Sequence, residues 1–259
     1  MEIRYLLADP TGNMTALVEG FSPGLSPGEA AAAVFGREPA AEQLGFLSES
    51  ETADISLQMA GGEFCGNACL SAAAYQLRRE GYEEKTVLVS ISGAEKPLAV
   101  DMKHLGGNEY SGSVEMPLPL EIGSTGGKPL VRFPGISHVI MPPSTSPEEA
   151  EALIRPLCTM LRAEALGLML FDEANGSLRP LVYVPGADTL CWERSCASGS
   201  CAVGAWLSIR EGKALSLELH QPGGTLRVDA LCSGGTGRIV LGGCVRLGDT
   251  KCLNVEKNI

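Results

Sequence analysis

The sequence predicts an α+β protein built from two similar domains. The chain has 259 residues, enough for one large domain or two smaller ones. An order of strand, cysteine turn, helix, strand, turn, strand, turn, strand occurs twice, and each copy spans roughly a hundred residues, too long for a solenoid repeat. Alternating apolar and polar residues at 215–219 and 225–228 are typical of half-buried antiparallel strands.

Four segments carry helical patterns. Two of them follow the turns that contain Cys65 and Cys196. The other two run over 26–35 and 146–161, and each opens with a serine cap, a proline at the first helical position and an early glutamate. These last two helices occupy corresponding places in the two halves of the chain, which favours a duplicated domain.

Strand-like segments follow both cysteine helices. They lie at 86–94, 97–102 and 112–116 in the first half and at 215–224, 225–230 and 237–241 in the second, with glycine-rich turns at 106–108 and 234–237. The small and polar run 123–128 is the predicted linker, with a boundary near residue 118. We therefore place the halves at 1–117 and 118–246, with 247–259 returning to pack on the first half.

The composition is that of a soluble globular protein. Hydrophobic residues make up 44% of the chain, charged residues 20%, and the formal net charge is −11. This balance argues against a nucleic-acid or anionic-membrane partner, because such partners require clustered Lys and Arg. No apolar run approaches the roughly eighteen residues of a membrane span, and the N-terminus lacks the apolar region of a secretory signal. We expect a cytoplasmic protein.

The chain contains nine cysteines, an odd number in a protein too large to need disulfide staples. Cys191, Cys196 and Cys201 recur every five residues, and Cys65 and Cys69 are four apart. Neither grouping forms the paired knuckles of a structural zinc site, and the three histidines lie away from both. We therefore predict no metal site. Most of the cysteines are expected to be small buried hydrophobic residues.

Cys65 and Cys196 differ from the other cysteines because each opens a helix that begins with small residues. The dipole and the N–H groups of a helix start favour thiolate and lower a cysteine pKa from about 8.5. Two such thiols facing one cavity would take a proton from one side of a carbon and return it from the other, one ionised and the other protonated. This predicts acid–base inversion of an amino-acid Cα in a cleft between domains.

The same helix starts supply backbone donors for a substrate carboxylate. The N–H groups of Gly66, Asn67, Ala197 and Ser198 are the candidates, and they would also stabilise the charge that builds on the carboxylate. The glycine-rich run 61–67 lacks the ending of a Walker A motif and the spacing of a dinucleotide fingerprint. No lysine lies near for a Schiff base, so we predict no cofactor.

The two cysteine turns resemble those of the diaminopimelate epimerases and their cofactor-independent racemase relatives. The matching runs are 65–68, 192–202 and the turn 10–13. The resemblance implies two pseudo-symmetric domains, each a curved and mostly antiparallel sheet around a central helix whose start carries the cysteine. It implies an active site in the cleft between the domains, a homodimer, and Cys65 and Cys196 as the two bases.

Other site residues follow from the same resemblance. Glu193 would bind the α-amino group, and Asn13 would line the pocket. A plain turn residue is the alternative for Asn13, and a solvated or paired surface carboxylate is the alternative for Glu193. Arg194 matches an arginine that holds the far end of diaminopimelate. Two asparagines that should accompany it are missing from 135–138 and 184–189, which argues against diaminopimelate as the substrate.

A closer resemblance is to the histidine racemases that make D-histidine for staphylopine-type metallophores. The matching stretches lie at 11–15, 42–46, 62–68, 169–173, 195–199 and 220–224. It implies interconversion of L- and D-histidine, with Glu42 at the imidazole or amine end; an exposed helix position is the alternative for Glu42. Arg194 suits an acidic side chain better than an imidazole.

Four other activities stay open at this point. They are a diaminopimelate epimerase, a broad amino-acid racemase, an isomerase of the phenazine-biosynthesis type without the cysteine pair, and a non-catalytic amino-acid-binding protein.

Overall fold

A computed structural model describes residues 1–20, 25–233 and 236–255. Within these ranges the chain forms a mixed, sheet-dominated fold with four α-helices and seventeen strands. It divides into two compact units. The first comprises Met1–Val114 and the chain from Gly242 onward, and the second comprises Glu115–Leu241.

The first unit contains two helices between its strands. Its elements are β1 (Glu2–Pro10), β2 (Thr15–Glu19), α1 (Pro27–Arg37), β3 (Gln43–Ser48), β4 (Ile55–Met59), α2 (Gly66–Glu80), β5 (Glu84–Ile91), β6 (Leu98–Gly106) and β7 (Glu109–Met116). β2 runs parallel to β3, and β4 runs parallel to β5. The pairs β1–β2, β3–β4, β5–β6 and β6–β7 are antiparallel.

The second unit repeats this order with additions. Its elements are β8 (Glu121–Thr125), β9 (Lys128–Phe133), β10 (Ile136–Met141), α3 (Pro147–Leu161), β11 (Leu166–Asp172), β12 (Ser177–Val184), β13 (Thr189–Trp192), α4 (Ala197–Glu211), β14 (Leu215–Gln221), β15 (Gly224–Ser233) and β16 (Thr236–Leu247). β10 is parallel to β11 and β12 to β14, whereas β9–β10, β11–β12 and β14–β15 are antiparallel. In both units, therefore, the paired strands that flank each helix in sequence run parallel, and for α4 these strands are β12 and β14.

The helices predicted at 26–35 and 146–161 are present as α1 and α3. Ser26 Oγ accepts a hydrogen bond from Glu29 N–H at 3.3 Å, and Ser146 Oγ accepts one from Glu149 N–H at 3.2 Å. In α1 the Glu29 carboxylate also accepts from Ser26 N–H at 2.8 Å, which completes a capping box. These local contacts explain why the sequence predicts both helix starts.

The cysteine helices α2 and α4 are the buried helices of their units. α2 packs against β1 to β6, and α4 packs against β9 to β11, β14 and β15. Small residues permit this close packing: a Cβ at Gly204 of α4 would lie 2.6 Å from Val228 Cγ1. Both helices end at a left-handed glycine, Gly81 with φ 73° and Gly212 with φ 64°. The first residues of the two helices, Gly66 and Ala197, are both buried.

Two features of the predicted organisation differ from the structure. The run 123–128 is a hairpin between β8 and β9 rather than a linker, because Gly126 (φ 55°) and Gly127 (φ 75°) form its two-residue turn. The chain also passes from one compact unit to the other within β7, after Val114, and within β16, after Leu241, a few residues before the predicted boundaries at 117 and 246. Because the chain passes between the units in the middle of a strand, neither the composition nor the turn residues change at that point. The sequence therefore does not indicate these boundaries.

The chain after β16 pairs with the first strand of the first unit. Gly248 N–H donates to Leu7 O at 2.7 Å, and β17 (Lys251–Asn254) runs antiparallel to β1. Residues 256–259 of the segment predicted to return, and Gly234 and Gly235 of a predicted turn, lie outside the described residues. In the part of the chain that the structure describes, no helix has both the length and the apolar character needed to cross a membrane.

Candidate active site

Cys65 is the N-cap of α2. Its backbone is extended (φ −135°, ψ 113°), and its Sγ accepts a hydrogen bond from Ala68 N–H at 3.4 Å. The thiol donates to Oε1 of Gln43, the first residue of β3, at 2.8 Å, and Cys65 is only 8% exposed. The helix start favours negative charge on the sulfur, whereas the amide oxygen favours the protonated form. Sequence reasoning missed Gln43, whose contact with Cys65 spans two elements.

Asn13 and Glu42 are brought together in the same unit. The side chain of Asn13, in the turn between β1 and β2, is buried, and its Nδ2 donates to Glu42 Oε2 at 2.8 Å. Its Oδ1 is buried without a hydrogen-bond partner among the described residues. Glu42 is exposed, as its alternative interpretation as a surface residue expected, but it directly precedes β3 rather than lying on a helix. Three candidate residues, Asn13, Glu42 and Cys65, therefore converge on the start of β3.

Cys196 is the N-cap of α4, with a backbone (φ −125°, ψ 110°) close to that of Cys65. Burial, followed by the carboxylate of Glu193 beside it, raises the pKa of the Cys196 thiol well above its ordinary value. The Gly199 N–H and the Ser198 hydroxyl act in the opposite sense. The predicted lowering of the Cys196 pKa is therefore wrong, since desolvation and a neighbouring charge outweigh the helix start.

Ser198 and His138 form a polar connection from the Cys196 thiol into the core. Ser198 Oγ lies 3.7 Å from Cys196 Sγ and 2.9 Å from His138 Nε2. His138 is fully buried, and burial lowers its pKa to about 3, so the ring is neutral. Nδ1 has no hydrogen-bond partner among the described residues, and a buried N–H is rarely left unpaired. We infer that the ring proton sits on Nε2, which donates a hydrogen bond to Ser198 Oγ. The Ser198 hydroxyl then donates its own proton to Cys196 Sγ.

The buried His138 should make the protein less stable in mild acid. Its pKa in the folded state (about 3) lies below the ordinary 6.5, so between these values the unfolded chain binds a proton that the folded protein does not. Stability is therefore lost as the pH falls, by about 2 kcal/mol between pH 7 and pH 5. Urea unfolding at both pH values measures this loss. The variant His138→Gln should lack this loss of stability. Equal losses in parent and variant would contradict the attribution of the pH dependence to His138.

Gly199 is a helical glycine with no space for a side chain. A Cβ there would overlap the thioether of Met169 and lie 3.2 Å from Cys196 Sγ. Met169, in β11, is completely buried and has little room to move. We expect Gly199→Ala to lower the free energy of unfolding by about 1–3 kcal/mol.

Gly36→Ala is the matched control for that change. Gly36 is also helical, in α1, and a Cβ there would meet no described atom within 4 Å outside its chain neighbours and the adjacent helix backbone. This variant should stabilise the protein by up to about 1 kcal/mol. Urea unfolding of both variants measures the difference, and equal effects would contradict the packing argument.

The four residues predicted to bind a carboxylate through backbone N–H occupy the first two positions of each cysteine helix. They are Gly66 and Asn67 in α2 and Ala197 and Ser198 in α4. A helix directs the N–H groups of these positions outward, toward an anion. Each cysteine helix thus presents two candidate donors beside its sulfur.

Glu193 and Arg194 precede Cys196 in the loop after β13. Glu193 is half-buried, its N–H donates to Pro180 O at 3.0 Å, and its carboxylate lies within hydrogen-bonding reach of the Cys196 thiol. Arg194 is exposed, and its carbonyl accepts from Gly223 N–H at 2.8 Å. The structure therefore brings Glu193 to the sulfur and leaves Arg194 exposed.

All nine cysteines lie in the described ranges, and none takes part in a disulfide. Cys191, Cys244 and Cys252 are exposed, and the other six are buried. Across residues 1–20, 25–233 and 236–255, no group of three or more His, Cys, Asp or Glu side chains is arranged to hold a metal ion.

The sequence matches one protein family along nearly its whole length. The family is described as Histidine racemase CntK N-terminal domain, and the match covers residues 2–249. A histidine racemase from Fusobacterium nucleatum subsp. nucleatum (strain ATCC 23726 / VPI 4351) is 34% identical over 220 residues, 78% of this chain and 80% of the relative. One from Staphylococcus aureus (strain Mu50 / ATCC 700699) is 27% identical over 239 residues, 87% of this chain and 88% of the relative.

Two solved structures share the fold at low sequence identity. A phenazine biosynthesis protein of the PhzF family from Bacillus anthracis has a TM-score of 0.73 at 16% identity, covering 98% of this chain and 100% of its own. A hydroxyproline epimerase from Agrobacterium vitis, with bound trans-4-OH-L-proline, has a TM-score of 0.63 at 14% identity, covering 99% and 94%. The family match and the histidine racemase relatives together show that this chain belongs to the histidine racemase family and is an isomerase of the racemase class.

Proposed function

We propose that this protein is a cofactor-independent amino-acid racemase that interconverts L- and D-histidine, with Cys65 and Cys196 as its two bases. The observation that carries the proposal is the repeated placement of a cysteine as the N-cap of the buried helix. The two backbones agree closely, with φ −135° and ψ 113° at Cys65 and φ −125° and ψ 110° at Cys196. Matching geometry in corresponding elements of the two units supports matching chemical roles.

In the proposed reaction one sulfur is a thiolate and the other is a thiol. The thiolate takes the Cα proton, which breaks the C–H bond on one face. The electron pair left on Cα spreads onto the α-carboxylate, where the N–H groups of the helix starts stabilise it. The thiol then gives its proton to the opposite face, so the charge states of the two sulfurs are exchanged. This scheme includes pseudo-symmetric domains with the substrate bound in the cleft between them.

Electrostatics at Cys196 supports a coupling between substrate binding and proton transfer. Burial and the charge of Glu193 raise the pKa of this thiol, which favours its protonated form. In the proposed complex the α-ammonium group of the substrate pairs with Glu193. A cation at that position offsets the charge of the carboxylate and so lowers the pKa of the Cys196 thiol again. The bound amino acid would therefore help to ionise the base that acts on it.

Histidine is the proposed substrate because of the named relatives and because of Glu42. This carboxylate is exposed beside the start of β3, and Asn13 holds one of its oxygens at 2.8 Å. A fixed carboxylate suits an imidazole N–H or an ammonium group. Exposed Arg194 would suit an acidic side chain instead, which makes diaminopimelate the second candidate substrate and a broad amino-acid racemase the third.

Incubation in D2O with a panel of amino acids tests this proposal. The panel contains L- and D-histidine, the other common L-amino acids and meso-diaminopimelate, and chiral chromatography with mass spectrometry measures inversion and Cα deuterium. We expect either histidine enantiomer to approach an equal mixture with deuterium at Cα. Turnover of diaminopimelate alone would contradict the substrate assignment. Absence of both exchange and inversion would indicate a binding protein instead.

We also propose that the protein is a homodimer, in line with the family resemblance of its cysteine turns. Light scattering coupled to size-exclusion chromatography measures the mass in solution. The chain has a mass of 27.1 kDa, so a species of twice that mass supports the proposal and a species of the single-chain mass contradicts it.

A further inference from the structure

The tip of the β14–β15 hairpin contacts the Cys196 turn at two points. Gly223 N–H donates to Arg194 O at 2.8 Å, and Gln221 Oε1 accepts from Cys196 N–H at 2.9 Å. Gln221 is the last residue of β14, 25 residues beyond Cys196 in the chain, and it is 8% exposed. A buried side chain from a strand thus holds the backbone of a candidate base at a helix start.

Gln221 also closes a ring of hydrogen bonds. Its Nε2 donates to Ser200 Oγ at 3.0 Å, and the Ser200 hydroxyl donates to Cys196 O at 2.7 Å. The N–H and the carbonyl of Cys196 are therefore both members of the ring. Cys196, Ser200 and Gln221 are all buried, and hydrogen bonds shielded from water hold geometry more firmly than exposed ones.

The start of α4 requires such a contact because it has no capping box. In a capping box the third helical residue returns its side chain to the N–H of the N-cap residue. The third residue of α4 is Gly199, where Met169 and Cys196 Sγ leave no space for a side chain. The N–H of buried Cys196 thus depends on an acceptor from outside the helix, and Gln221 provides it.

The turn before Cys65 has a contact that corresponds to the one between Gly223 and Arg194. Ser92 Oγ donates to Glu63 O at 2.9 Å, two residues before Cys65, just as Gly223 contacts Arg194 two residues before Cys196. The glutamine that contacts Cys65 differs, because Gln43 accepts from the thiol itself rather than from the backbone. Gln43 thus bonds to the side chain of Cys65, whereas Gln221 bonds to the backbone of Cys196.

We propose that Gln221 is a positioning residue for Cys196. It fixes the N–H of Cys196 directly and the carbonyl through Ser200, and so sets the position from which the thiol reaches the substrate Cα. The inference rests on the proposed function, in which Cys196 is one of two bases. An error of about 1 Å in the position of a catalytic group costs up to about 10²-fold in rate. Loss of the Gln221 amide should therefore slow turnover although both thiols remain.

Gln221→Met is the direct test, because methionine keeps the length of the side chain and removes both hydrogen bonds. We expect kcat for histidine racemisation to fall by about 10- to 100-fold. We also expect iodoacetamide to alkylate Cys196 several-fold faster relative to Cys65, as the turn opens to water. Peptide mass spectrometry measures the two alkylation rates separately. Ser200→Ala breaks the same ring at another bond and should move both readouts in the same direction.

Gln76→Met is the matched control. Gln76 in α2 is also a buried glutamine, 2% exposed, and its Nε2 donates to Glu80 Oε1 at 2.8 Å, far along the helix from Cys65. This variant should keep the kcat of the parent and the parent ratio of Cys196 to Cys65 alkylation.

A Gln221→Met protein that melts earlier but keeps the parent kcat and the parent alkylation ratio would overturn the proposal, because Gln221 would then be purely structural. If that variant does not fold, the same two measurements on Ser200→Ala decide, and parent values there overturn the proposal. Failure of the proposed function would be visible separately as a lack of racemisation by the parent. The ratio of Cys196 to Cys65 alkylation does not depend on turnover, so it would still show whether the hydrogen-bond ring holds the Cys196 turn in place.

Discussion

Replacing either Cys65 or Cys196 by serine is expected to lower kcat for histidine racemisation by about 10³-fold or more. Serine keeps nearly the size and shape of cysteine, so the helix starts and their N–H groups should remain in place. Its hydroxyl stays protonated near neutral pH and is a poor base for a Cα proton. One face of the substrate carbon would then lack a group that can take or give a proton, and inversion requires such a group on each face.

Deuterium exchange in D2O separates the contributions of the two faces. In each variant the remaining cysteine still removes the proton from the enantiomer that it faces, so exchange should persist for one enantiomer and be lost for the other. The favoured enantiomer should be opposite in the two variants. Chiral separation followed by mass spectrometry measures this pattern. Racemisation that survives in both variants would exclude the two-cysteine scheme.

Two buried cysteines provide matched controls for that experiment. Cys69 in α2 and Cys201 in α4 lie about one turn beyond the candidate bases, and both are completely buried. Cys69→Ala and Cys201→Ala should destabilise the protein slightly through small cavities and leave kcat near the parent value. A loss of activity in these variants equal to that in the serine variants would point to general destabilisation.

Local signals in the sequence were sufficient to predict the starts of the four helices. The capping contact between Ser26 and Glu29 spans three residues, and the cysteine turns at Cys65 and Cys196 are contiguous runs. Such contacts form within one turn of chain, so the residue types alone indicate them. Family resemblance added Glu193, which the structure brings next to the Cys196 thiol.

Contacts across long stretches of chain were beyond sequence reasoning. Gln43 meets Cys65 from 22 residues away, Gln221 meets Cys196 from 25, and His138 meets Ser198 from 60. Each depends on the pairing of strands, which no local pattern specifies. The pKa of Cys196 was predicted in the wrong direction for the same reason, because burial and the approach of Glu193 are properties of the folded unit.

Glu193→Gln should lower kcat/KM for histidine by about 10²-fold or more and should move the alkylation of Cys196 to lower pH. The carboxylate charge contributes to the raised pKa of the Cys196 thiol, so its removal lowers that pKa. Thiolate, the form that iodoacetamide attacks, then exists at lower pH than in the parent. Glutamine keeps the size and one oxygen acceptor but has no charge to pair with the substrate α-ammonium, so KM should rise as well.

The two effects of Glu193→Gln have opposite signs, and this separates charge from packing. A purely structural role would lower activity and leave the pH at which Cys196 is alkylated unchanged. Glu211→Gln is the control, because Glu211 is the last residue of the same helix α4 and pairs with Arg210 at 2.8 Å. It should alter neither kcat/KM nor the alkylation profile. A profile for Glu193→Gln that stays at the parent position or moves to higher pH would show that Glu193 does not control the ionisation of Cys196. The coupling of substrate binding to proton transfer would then have to be abandoned, whereas the two-cysteine scheme would still depend on the serine variants.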